Sequence, residues 1–382
     1  MQYRKLGKLE WQPSALGFGA MRLPTYDQDL DRINISATRE MLEYAIENGV
    51  NYLDTAWPYH KGKSEEVIGE FLKEGYRDKI KLATKMPVWE VNEVKDFDHF
   101  FKEQLKKLQT EWIDCYLLHA LNQKTWKKVY DLGVLDWCEK QKREGLIFSL
   151  GFSFHDQYPV FQQIIDAYGE WDFCQIQYNF MDIDYQAGKK GLQYAHAHDI
   201  GVIVMEPLRG GQLAKEPPSD ISEIWKNSGS DLNHVDAALQ WLWNQAEVGL
   251  VLSGMSNLDQ VKDNIASADK SSINLLSDAD LMVFEQVREA YLKRIAIPCT
   301  GCRYCLPCPQ NIDIPAVFDI YNTGIIYEDI PKAGLFYNWL KPDNRADRCL
   351  ACGECEEKCP QNIKIIDALQ KAHKELTEGG KG

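Results

Sequence analysis

The sequence lacks long apolar runs, and it begins without the apolar core of a secretory signal. Among its 382 residues, 45% are hydrophobic and 26% charged, yet no uncharged apolar stretch approaches the roughly 18 residues that span a bilayer. The first seven residues read MQYRKLG, which is not the start of an export signal. These absences argue against a membrane partner and against export, so we expect a cytoplasmic protein.

Basic residues are scarce relative to acidic ones. The chain has 43 Lys and Arg against 57 Asp and Glu, which gives a formal net charge of −14. Because nucleic acid is bound by basic surfaces, this balance argues against a nucleic-acid partner, but it is compatible with a local basic pocket for a nucleotide. Aromatic residues make up 11% of the chain, and low-complexity tracts are absent, so the chain is expected to fold.

Cysteine is nearly absent from the first three quarters of the chain. Only Cys115, Cys138 and Cys174 precede residue 299, and the other eight of the eleven cysteines lie in the last 84 residues. We interpret the first three as core packing. Without export, clustered cysteines are better explained as metal ligands than as disulfides. The sequence therefore predicts a large domain over 1–295 and a small metal-binding domain over 296–382.

Short apolar runs alternate with amphipathic helical segments through the large domain. We predict eight strands, at 15–19, 51–54, 80–85, 113–119, 147–153, 173–178, 202–205 and 249–253. Eight strand–helix units in about 250 residues match an α/β fold of the (β/α)8 TIM barrel type. A doubly wound open sheet is the alternative, but GFGAMR at 17–22 lacks the third glycine of its nucleotide-binding turn.

Three local features of the large domain add to this interpretation. Residues 2–11 are expected to form a hairpin that closes the bottom of the barrel. Residues 214–234 are too long for a plain strand–helix connection and predict a flap. Ser64 is expected to cap the helix that begins there.

Three neighbouring predicted strands end in titratable side chains. Asp54 ends the second strand with Tyr59 shortly after it, Lys85 ends the third, and His119 ends the fourth. Each of them singly has a structural explanation, such as a buried ion pair or a satisfied core histidine. The carboxyl ends of barrel strands converge at one mouth, where barrel enzymes place their chemistry. Four such groups on adjacent strands therefore favour an active site.

The same four side chains suit the reduction of a carbonyl group. A lysine ammonium beside Tyr59 would lower the pKa of its phenol from about 10, and Asp54 would hold Lys85 charged. His119 would hydrogen-bond the substrate oxygen or relay its proton. Hydride addition to a carbonyl carbon creates an alkoxide, which Tyr59 would protonate as a general acid.

Over roughly residues 1–295 the sequence resembles the aldo/keto reductase family. The residues that carry the resemblance are GVNYLDTAWPY at 49–59, Ala83-Thr84-Lys85 and Leu117-Leu118-His119. The resemblance implies a (β/α)8 barrel with a catalytic set of Asp54, Tyr59, Lys85 and His119. It also implies NADPH or NADH as the hydride donor and a small-molecule carbonyl substrate.

The family's nucleotide site can be carried over residue by residue. Ser153 and Gln177 would contact the nicotinamide carboxamide, and Met205 would take the place of a stacking aromatic ring. The pyrophosphate would lie near Leu208, Arg209 and Gly211. At the adenosine end the resemblance assigns Ser253, Gly254, Ser256, Gln260 and Asn264.

The adenosine end departs from the pattern of family members that prefer NADPH. Those members commonly have basic residues at the positions of Gly254 and Gln260. Here a 2′-phosphate would be met mainly by a helix N-terminus and Ser256, with Asp259 unfavourable nearby. We expect the preference for NADPH to be weak or lost, so that NADH serves.

An aromatic mouth is expected around the substrate. The candidate lining residues are Trp57, Trp89, Met21 and His60, each of which has core packing as an equal alternative. Such a mouth suits apolar or aromatic carbonyl compounds. Glu206, which follows Met205, would face either the site or the flap.

The last 84 residues contain a duplicated cysteine motif. Its two copies are Cys299, Cys302, Cys305 and Cys308, and Cys349, Cys352, Cys355 and Cys359, each followed by Pro-Gln-Asn-Ile. The second copy has the full spacing of a bacterial ferredoxin, whereas the first is one residue shorter before its last cysteine. Zinc is the alternative metal, but three successive Cys-x2 steps followed by Cys-Pro favour iron–sulfur clusters.

In two-cluster ferredoxins the fourth cysteine of each motif ligates the other cluster. One [4Fe–4S] cluster would then be held by Cys299, Cys302, Cys305 and Cys359. The other would be held by Cys349, Cys352, Cys355 and Cys308. We expect two clusters, with one as the minimum. The long link between the motifs, with a helix predicted over 314–327, resembles the α-helical ferredoxin type.

Three functions are compatible with the whole chain. The first is a reductase whose clusters carry electrons to or from a redox partner protein. The second is a reductase whose clusters are structural. The third is an electron-transfer adaptor in which the clusters are the functional part and the barrel binds a nucleotide or a partner, which the intact set of four residues argues against.

Overall fold

Eight parallel strands close into a barrel. The computed structural model of the protein describes residues 1–27, 29–228, 233–299, 301, 305–359 and 361–378. The strands β1 to β8 are Leu16–Gly19, Tyr52–Asp54, Lys81–Met86, Ile113–Leu121, Ile147–Phe154, Phe173–Gln177, Gly201–Met205 and Val248–Gly254. Each strand pairs with the next in the chain, and β8 pairs with β1. The predicted barrel is confirmed.

The register of the strands brings the expected site residues to one end. Gly19 at the end of β1 pairs with Asp54 of β2 and with Gly254 of β8. Lys85 lies opposite Leu117, two residues before His119. The carboxyl ends of β1 to β4 and β8 therefore meet at the same mouth, as parallel pairing requires.

Helices follow most of the strands and cover the barrel. Helices α1 to α11 are Ile35–Glu47, Ser64–Leu72, Val94–Leu108, Gln123–Asp131, Val134–Arg143, Tyr158–Asp166, Gly188–Ala197, Ser219–Asn227, His234–Trp243, Leu258–Asp269 and Asp278–Lys293. Helices α12 to α15 are Ile314–Ile326, Ile330–Trp339, Glu354–Glu357 and Ile365–Glu378. The helix predicted over 314–327 is thus α12. No described helix is both long enough and apolar enough to cross a membrane.

The N-terminal segment closes the bottom of the barrel, as expected. Tyr3 forms an antiparallel bridge with Ser14, and the side chain of Leu6 is fully buried in the cluster that fills the barrel interior. A Cβ on Gly201 or Gly249 would lie 2.6 or 2.5 Å from Leu6 Cδ1. The two glycines therefore leave the space that the leucine fills.

The three early cysteines are part of the barrel's apolar packing. Cys115 in β4, Cys138 in α5 and Cys174 in β6 are fully buried. Burial raises the pKa of each thiol, which keeps it protonated and unreactive. This confirms their interpretation as core residues.

The chain divides into two compact units at positions other than 295. The first comprises Met1–Ala214 and Leu232–Asp278, and the second comprises Lys215–Asp231 and Ala279–Gly382. Within the second unit, Arg294 pairs with Asp220 of α8 at 2.6 Å and with Glu328 at 2.8 Å. The segment expected to be a flap therefore contains a helix of the second unit. For the functional domains, the boundary between 295 and 296 stays a prediction.

Helices α12, α13 and α15 build the core of the second unit. Their buried apolar residues include Val317, Phe318, Tyr337 and Leu369. Tyr337 also accepts a hydrogen bond from the backbone N–H of Ala346 over 2.9 Å. Several cysteines pack against the edge of this core: Cys299, Cys305, Cys308, Cys349, Cys355 and Cys359.

Candidate active site

A buried ion pair joins the ends of β2 and β3. The Nζ atom of Lys85 donates to Oδ1 of Asp54 over 2.5 Å and to the carbonyl oxygen of Thr55 over 2.8 Å. Both charged side chains are 1% exposed. Because an unpaired charge is costly to bury, each of the two depends on the other.

Tyr59 reaches the same lysine through a tight turn after β2. The turn Tyr59–Gly62 contains His60 and Lys61 in the left-handed region, with φ values of 51° and 52°. The Lys85 Nζ atom lies 3.3 Å from Tyr59 Oη and 4.9 Å from the centre of its ring. The structure thus brings Tyr59 into the group formed by Asp54 and Lys85.

The pKa of Tyr59 is raised, which corrects the direction expected from the sequence. Burial raises it most, and the positive charge of Lys85 offsets only part of this effect. For Lys85 itself, burial would lower the pKa, but attraction to Asp54 and Tyr59 outweighs burial and raises it. The sequence shows which charge is nearby but not how completely the site is shielded from water. Near neutral pH the phenol is therefore protonated and the lysine charged.

His119 completes the group from the end of β4. The centre of its ring lies 6.1 Å from that of Tyr59 and 5.1 Å from that of Trp89. Burial, reinforced by the charge of Lys85, lowers the pKa of His119 well below its usual value, so the ring is neutral. Its Nδ1 atom is buried with no hydrogen-bond partner among the described residues.

Two hydroxyl residues, Ser64 and Thr55, support the ion pair in a way that the sequence did not predict. The Oγ atom of Ser64 lies 2.8 Å from Thr55 Oγ1 and donates to the carbonyl oxygen of Ala20 over 3.2 Å. The expected cap is wrong, because α2 follows Lys63 and no side chain caps it. Ser64 instead steadies Thr55, whose carbonyl oxygen receives Lys85. A serine at the start of a helix is expected to cap it, and only the folded structure shows that the hydroxyl of Ser64 contacts Thr55 instead.

Three of the four expected pocket residues are accessible. Met21 is 53% exposed and Trp89 is 40% exposed. Trp57 is partly exposed, and the edge of one ring meets the face of the other where it packs on Phe100, with centroids 5.2 Å apart. An apolar rim is therefore present.

His60 belongs to the packing rather than to the pocket. It is 4% exposed, and its Nε2 atom accepts a hydrogen bond from the backbone N–H of Leu23 over 3.2 Å. Its Nδ1 atom lies 3.3 Å from the carbonyl oxygen of Leu30. Of the two interpretations of His60, core packing holds.

The residues expected at the nicotinamide lie at the ends of β5, β6 and β7. Ser153 is buried, and its Oγ atom accepts from the backbone N–H of Ala120 over 2.7 Å. Gln177 donates from Nε2 to Asp182 Oδ2 over 3.1 Å. Met205 is partly exposed at the end of β7. Their contact with a nicotinamide stays a prediction.

The turn after β7 contains Leu208, Arg209 and Gly211. Arg209 has a φ of 49°, and Gly210 and Gly211 have φ values of 64° and 85°. The Nε atom of Arg209 lies 3.3 Å from Oδ2 of Asp182. Gly211 is exposed, and a Cβ there would meet nothing within 4 Å. The backbone of this turn is thus open to a ligand.

The residues assigned to adenosine lie at the end of β8 and in the first turns of α10. Ser256 donates to Gln260 Oε1 from its backbone N–H over 2.8 Å and from Oγ over 3.2 Å. Asn264 is buried and donates to Ser253 Oγ over 3.2 Å. Gly254 is exposed. The residues are brought together, and the serine–glutamine pair also organises the start of the helix.

One cation beside this end was also missed in the sequence. Arg22 lies in the short turn after β1, and a Cβ on Gly254 would be 3.1 Å from its Cγ and Cδ atoms. Its Nη2 atom is 3.5 Å from Glu206 Oε1. Only the closure of the barrel brings residue 22 to residue 254. The positive charge absent from position 254 is therefore present nearby, paired with an acid.

Five of the eight motif cysteines surround one small cavity in the second unit. They are Cys305, Cys308, Cys349, Cys352 and Cys355. Four of them form one of the two expected ligand sets, so this set fits a cluster whose irons are each bound by one thiolate. In the part of the chain described, no three His, Cys, Asp or Glu side chains converge on a single ion. Cys302 lies outside the described residues.

Two family models match the chain, one over the barrel and one over the cysteine motifs. Residues 15–281 match the model of the aldo/keto reductase family. The chain belongs to the aldo/keto reductase family. Residues 298–363 match the model of a 4Fe-4S dicluster domain, which supports iron–sulfur clusters over zinc.

Known relatives of this aldo/keto reductase match 70–75% of the chain. An uncharacterized oxidoreductase of Bacillus subtilis, YqkF, is 28% identical over 304 residues, which are 70% of this chain and 92% of that protein. An NADH-specific methylglyoxal reductase of Escherichia coli is 27% identical over 339 residues, or 75% and 98% of the two chains. The holo form of an aldo-keto reductase from Bacillus halodurans is 26% identical, with a TM-score of 0.63 and coverage of 75% and 96%.

Replacing Lys85 by Met is expected to destabilise the barrel by about 3–5 kcal/mol at pH 7, because the charge of Asp54 loses its partner inside the protein. Burial already raises the pKa of Asp54, and loss of the cation raises it further. The variant is therefore relatively more stable at acid pH and loses stability as pH rises through that pKa. Urea unfolding at pH 4 and pH 7 measures the difference.

The double variant Asp54→Asn, Lys85→Met is expected to recover most of the lost stability. Lys81→Met is the matched control, since Lys81 lies on the same strand but is 39% exposed beside Asp114, and its loss should cost less than about 1 kcal/mol. A Lys85→Met variant as stable as the wild type at pH 7 would contradict the buried pair.

Proposed function

We propose that this protein reduces an aldehyde or ketone with a hydride from a nicotinamide nucleotide, and that Tyr59 is the general acid. The observation that carries the proposal is the contact of one buried ammonium with both Asp54 and Tyr59 at the barrel mouth. A structural ion pair alone would not need a tyrosine hydroxyl in contact with the same lysine.

The four residues would divide the work as follows. When bound, the reduced nicotinamide supplies a hydride to the carbonyl carbon. Tyr59 donates its phenol proton to the carbonyl oxygen as negative charge develops there. Lys85 stabilises the phenolate that forms, and Asp54 keeps Lys85 charged. The neutral ring of His119 donates a hydrogen bond to the same oxygen, and water returns the proton to Tyr59.

Tyr59→Phe is expected to lower kcat at least about a hundredfold, because it removes the acid without changing the ring. The dissociation constant for NADH should stay unchanged. In the wild type, reduction requires the protonated phenol, and burial raises its pKa. The rate should therefore hold through neutral pH and fall only as pH rises through that raised value. Steady-state kinetics with 4-nitrobenzaldehyde from pH 6 to 11 measures both effects.

Tyr130→Phe is the control for this substitution, because Tyr130 is 47% exposed on α4. It should leave kcat unchanged. Full activity in Tyr59→Phe would refute the proposed role of Tyr59.

The nucleotide is proposed to be NADH at least as readily as NADPH. Gln260 and Gly254 offer no positive charge, and the nearby Arg22 and Arg209 already face Glu206 and Asp182. A 2′-phosphate adds negative charge to a site whose cations are paired with acids, which is unfavourable. The related methylglyoxal reductase of Escherichia coli, named as NADH-specific, supports this proposal.

Measured values of kcat/KM should therefore show no large preference for NADPH. Gln260→Arg is expected to improve kcat/KM for NADPH about tenfold, because it adds a charge-assisted contact for the 2′-phosphate, and to leave NADH nearly unaffected. A wild-type preference for NADPH of about a hundredfold or more would contradict the proposal.

The substrate is proposed to be a small carbonyl compound with an apolar or aromatic group. Trp57 and Trp89 supply the apolar rim, and the imidazole of His119 lies beside Trp89. An apolar group would contact the tryptophans while the carbonyl oxygen meets the polar groups beneath.

The second domain is proposed to hold two [4Fe–4S] clusters that exchange electrons with a redox partner protein. The match to a dicluster domain and the five cysteines around one cavity support this. Thiolate-bound clusters suit a reducing compartment, so we also propose a cytoplasmic location. The alternative is an adaptor in which the clusters are the functional part, and the same family match supports it.

Anaerobically purified protein should contain about eight iron atoms per chain, as two [4Fe–4S] clusters require. Cys355→Ala is expected to lose about half of the iron, and Cys138→Ala, a buried barrel cysteine, to retain it. Addition of dithionite without oxygen should bleach the cluster absorbance, because each cluster accepts one electron. Clusters that dithionite does not reduce would contradict electron exchange with a redox partner.

A further inference from the structure

The turn that carries Tyr59 is held in an unfavourable backbone conformation. His60, Lys61 and Gly62 are three successive residues with positive φ, at 51°, 52° and 90°. Residues with a side chain seldom adopt this region, and such strain persists only where surrounding contacts impose it. The contacts of His60 with the backbone of Leu23 and Leu30 hold one residue of the turn, and other contacts must hold the rest.

Lys107, near the C-terminus of α3, contacts residues on both sides of Tyr59. Its Nζ atom donates to the carbonyl oxygen of Gly62 over 3.3 Å. The same ammonium lies 3.7 Å from the centre of the Trp57 ring, close enough for a strong cation–π contact. Trp57 stands two residues before Tyr59 and Gly62 three residues after it, so one cation fastens both sides of the phenol.

The ammonium of Lys107 is in turn held by a buried carboxylate. Glu65 is fully buried, and its Oε1 atom accepts hydrogen bonds from Thr84 Oγ1 over 2.6 Å and from Gln104 Nε2 over 2.8 Å. Its Oε2 atom has no hydrogen-bond partner among the described residues. Lys107 Nζ lies 3.7 Å from that oxygen, and the lysine side chain is 17% exposed.

The same network reaches the backbone of the active-site lysine. Gln104 Nε2 also donates to the carbonyl oxygen of Lys85 over 2.9 Å, and Gln104 Oε1 accepts from Tyr116 over 2.7 Å. Helices α2 and α3 pack so closely that a Cβ on Gly69 would lie 2.3 Å from the carbonyl oxygen of Lys107. The position of Lys107 relative to α2, the helix that carries Glu65, is therefore set by packed backbone.

We propose that Lys107 and Glu65 are a positioning pair for the general acid. Lys107 holds the turn from Trp57 to Gly62, so that Tyr59 stays within hydrogen-bond distance of Lys85. Glu65 fixes the ammonium of Lys107 and is linked through Gln104 to the strand that carries Lys85. Neither residue touches the reacting atoms. This inference rests on the proposed role of Tyr59, because the pair acts through that residue.

The first test is Lys107→Met, which keeps the aliphatic stem and removes the charge. It is expected to lower kcat with 4-nitrobenzaldehyde about tenfold and to leave the dissociation constant for NADH unchanged. Lys107→Arg should restore at least half of the wild-type kcat, because it returns a cation to the same place. Lys106→Met is the matched control, since Lys106 is the neighbouring lysine, 78% exposed and 3.8 Å from Glu103, and it should not change kcat.

A kcat for Lys107→Met within twofold of the wild type would overturn the proposal, as would an Lys107→Arg variant no more active than Lys107→Met. If Lys107→Met does not fold, Glu65→Gln replaces it. Glu65→Gln keeps the shape of the side chain and removes the charge that holds the ammonium, and it is expected to lower kcat at least threefold. An unchanged kcat in Glu65→Gln would count against the pair.

A double-variant cycle separates this proposal from the proposed function. In a Tyr59→Phe background, Lys107→Met should have little further effect on single-turnover reduction, because its target is already absent. An equal, multiplicative loss in both backgrounds would show that Lys107 does not act through Tyr59 and would overturn the positioning role. Full activity of Tyr59→Phe alone would instead refute the proposed function.

Discussion

The ammonium group of Lys85 lies 2.5 Å from Asp54, 2.8 Å from the carbonyl oxygen of Thr55 and 3.3 Å from the hydroxyl of Tyr59. The side chain of Lys85 is only 1% exposed. A charge shielded from water in this way needs both a counter-ion and hydrogen-bond acceptors. The barrel meets that need by closing β2 against β3 and by turning the chain sharply after β2. The location of the phenol follows from this need, and the charge of Lys85 adds to the burial that lowers the pKa of His119.

Strand β3 carries buried polar side chains on both of its faces. Successive side chains of a strand point in opposite directions, so Lys85 meets Asp54 while its neighbour Thr84 meets Glu65. Two buried carboxylates therefore lie on opposite sides of one strand. Burial raises the pKa of both of them, which makes hydrogen bonds and nearby ammonium groups necessary on each side. The first turn of α2 is close to both networks through Ser64 and Glu65.

The second unit contains two separate segments of the chain, not only its C-terminal part. The turn Arg209–Ala214 belongs to the barrel unit, and the very next residue, Lys215, belongs to the second unit, where it pairs with Asp329 at 3.2 Å. In that unit Trp225 of α8 also packs on Phe284 of α11, with ring centres 5.2 Å apart. The chain thus leaves the barrel immediately after the expected pyrophosphate turn, returns for α9 and β8, and leaves again at residue 279.

Much of this architecture could be predicted from local sequence patterns. The eight strands lie within about two residues of their predicted positions, because a buried parallel strand is an apolar run of limited length. The order of Asp54, Tyr59, Lys85 and His119 along those strands was enough to place them at one mouth. The cysteine spacing likewise predicted the ferredoxin-type domain that the family match supports.

Other features depend on contacts between residues distant in the chain. The direction of the Tyr59 pKa shift was wrong because burial, which exceeds the effect of the lysine charge, is a property of the folded barrel. Arg22 reaches Gly254 only because β1 closes on β8, and Lys107 reaches Trp57 and Glu65 only because α2 packs on α3. The sequence by itself determined the fold and the chemical types at the mouth, since both follow from local periodicity and residue identity. Only the tertiary structure decided which charges are paired and shielded, because pairing and shielding depend on distance and water exclusion.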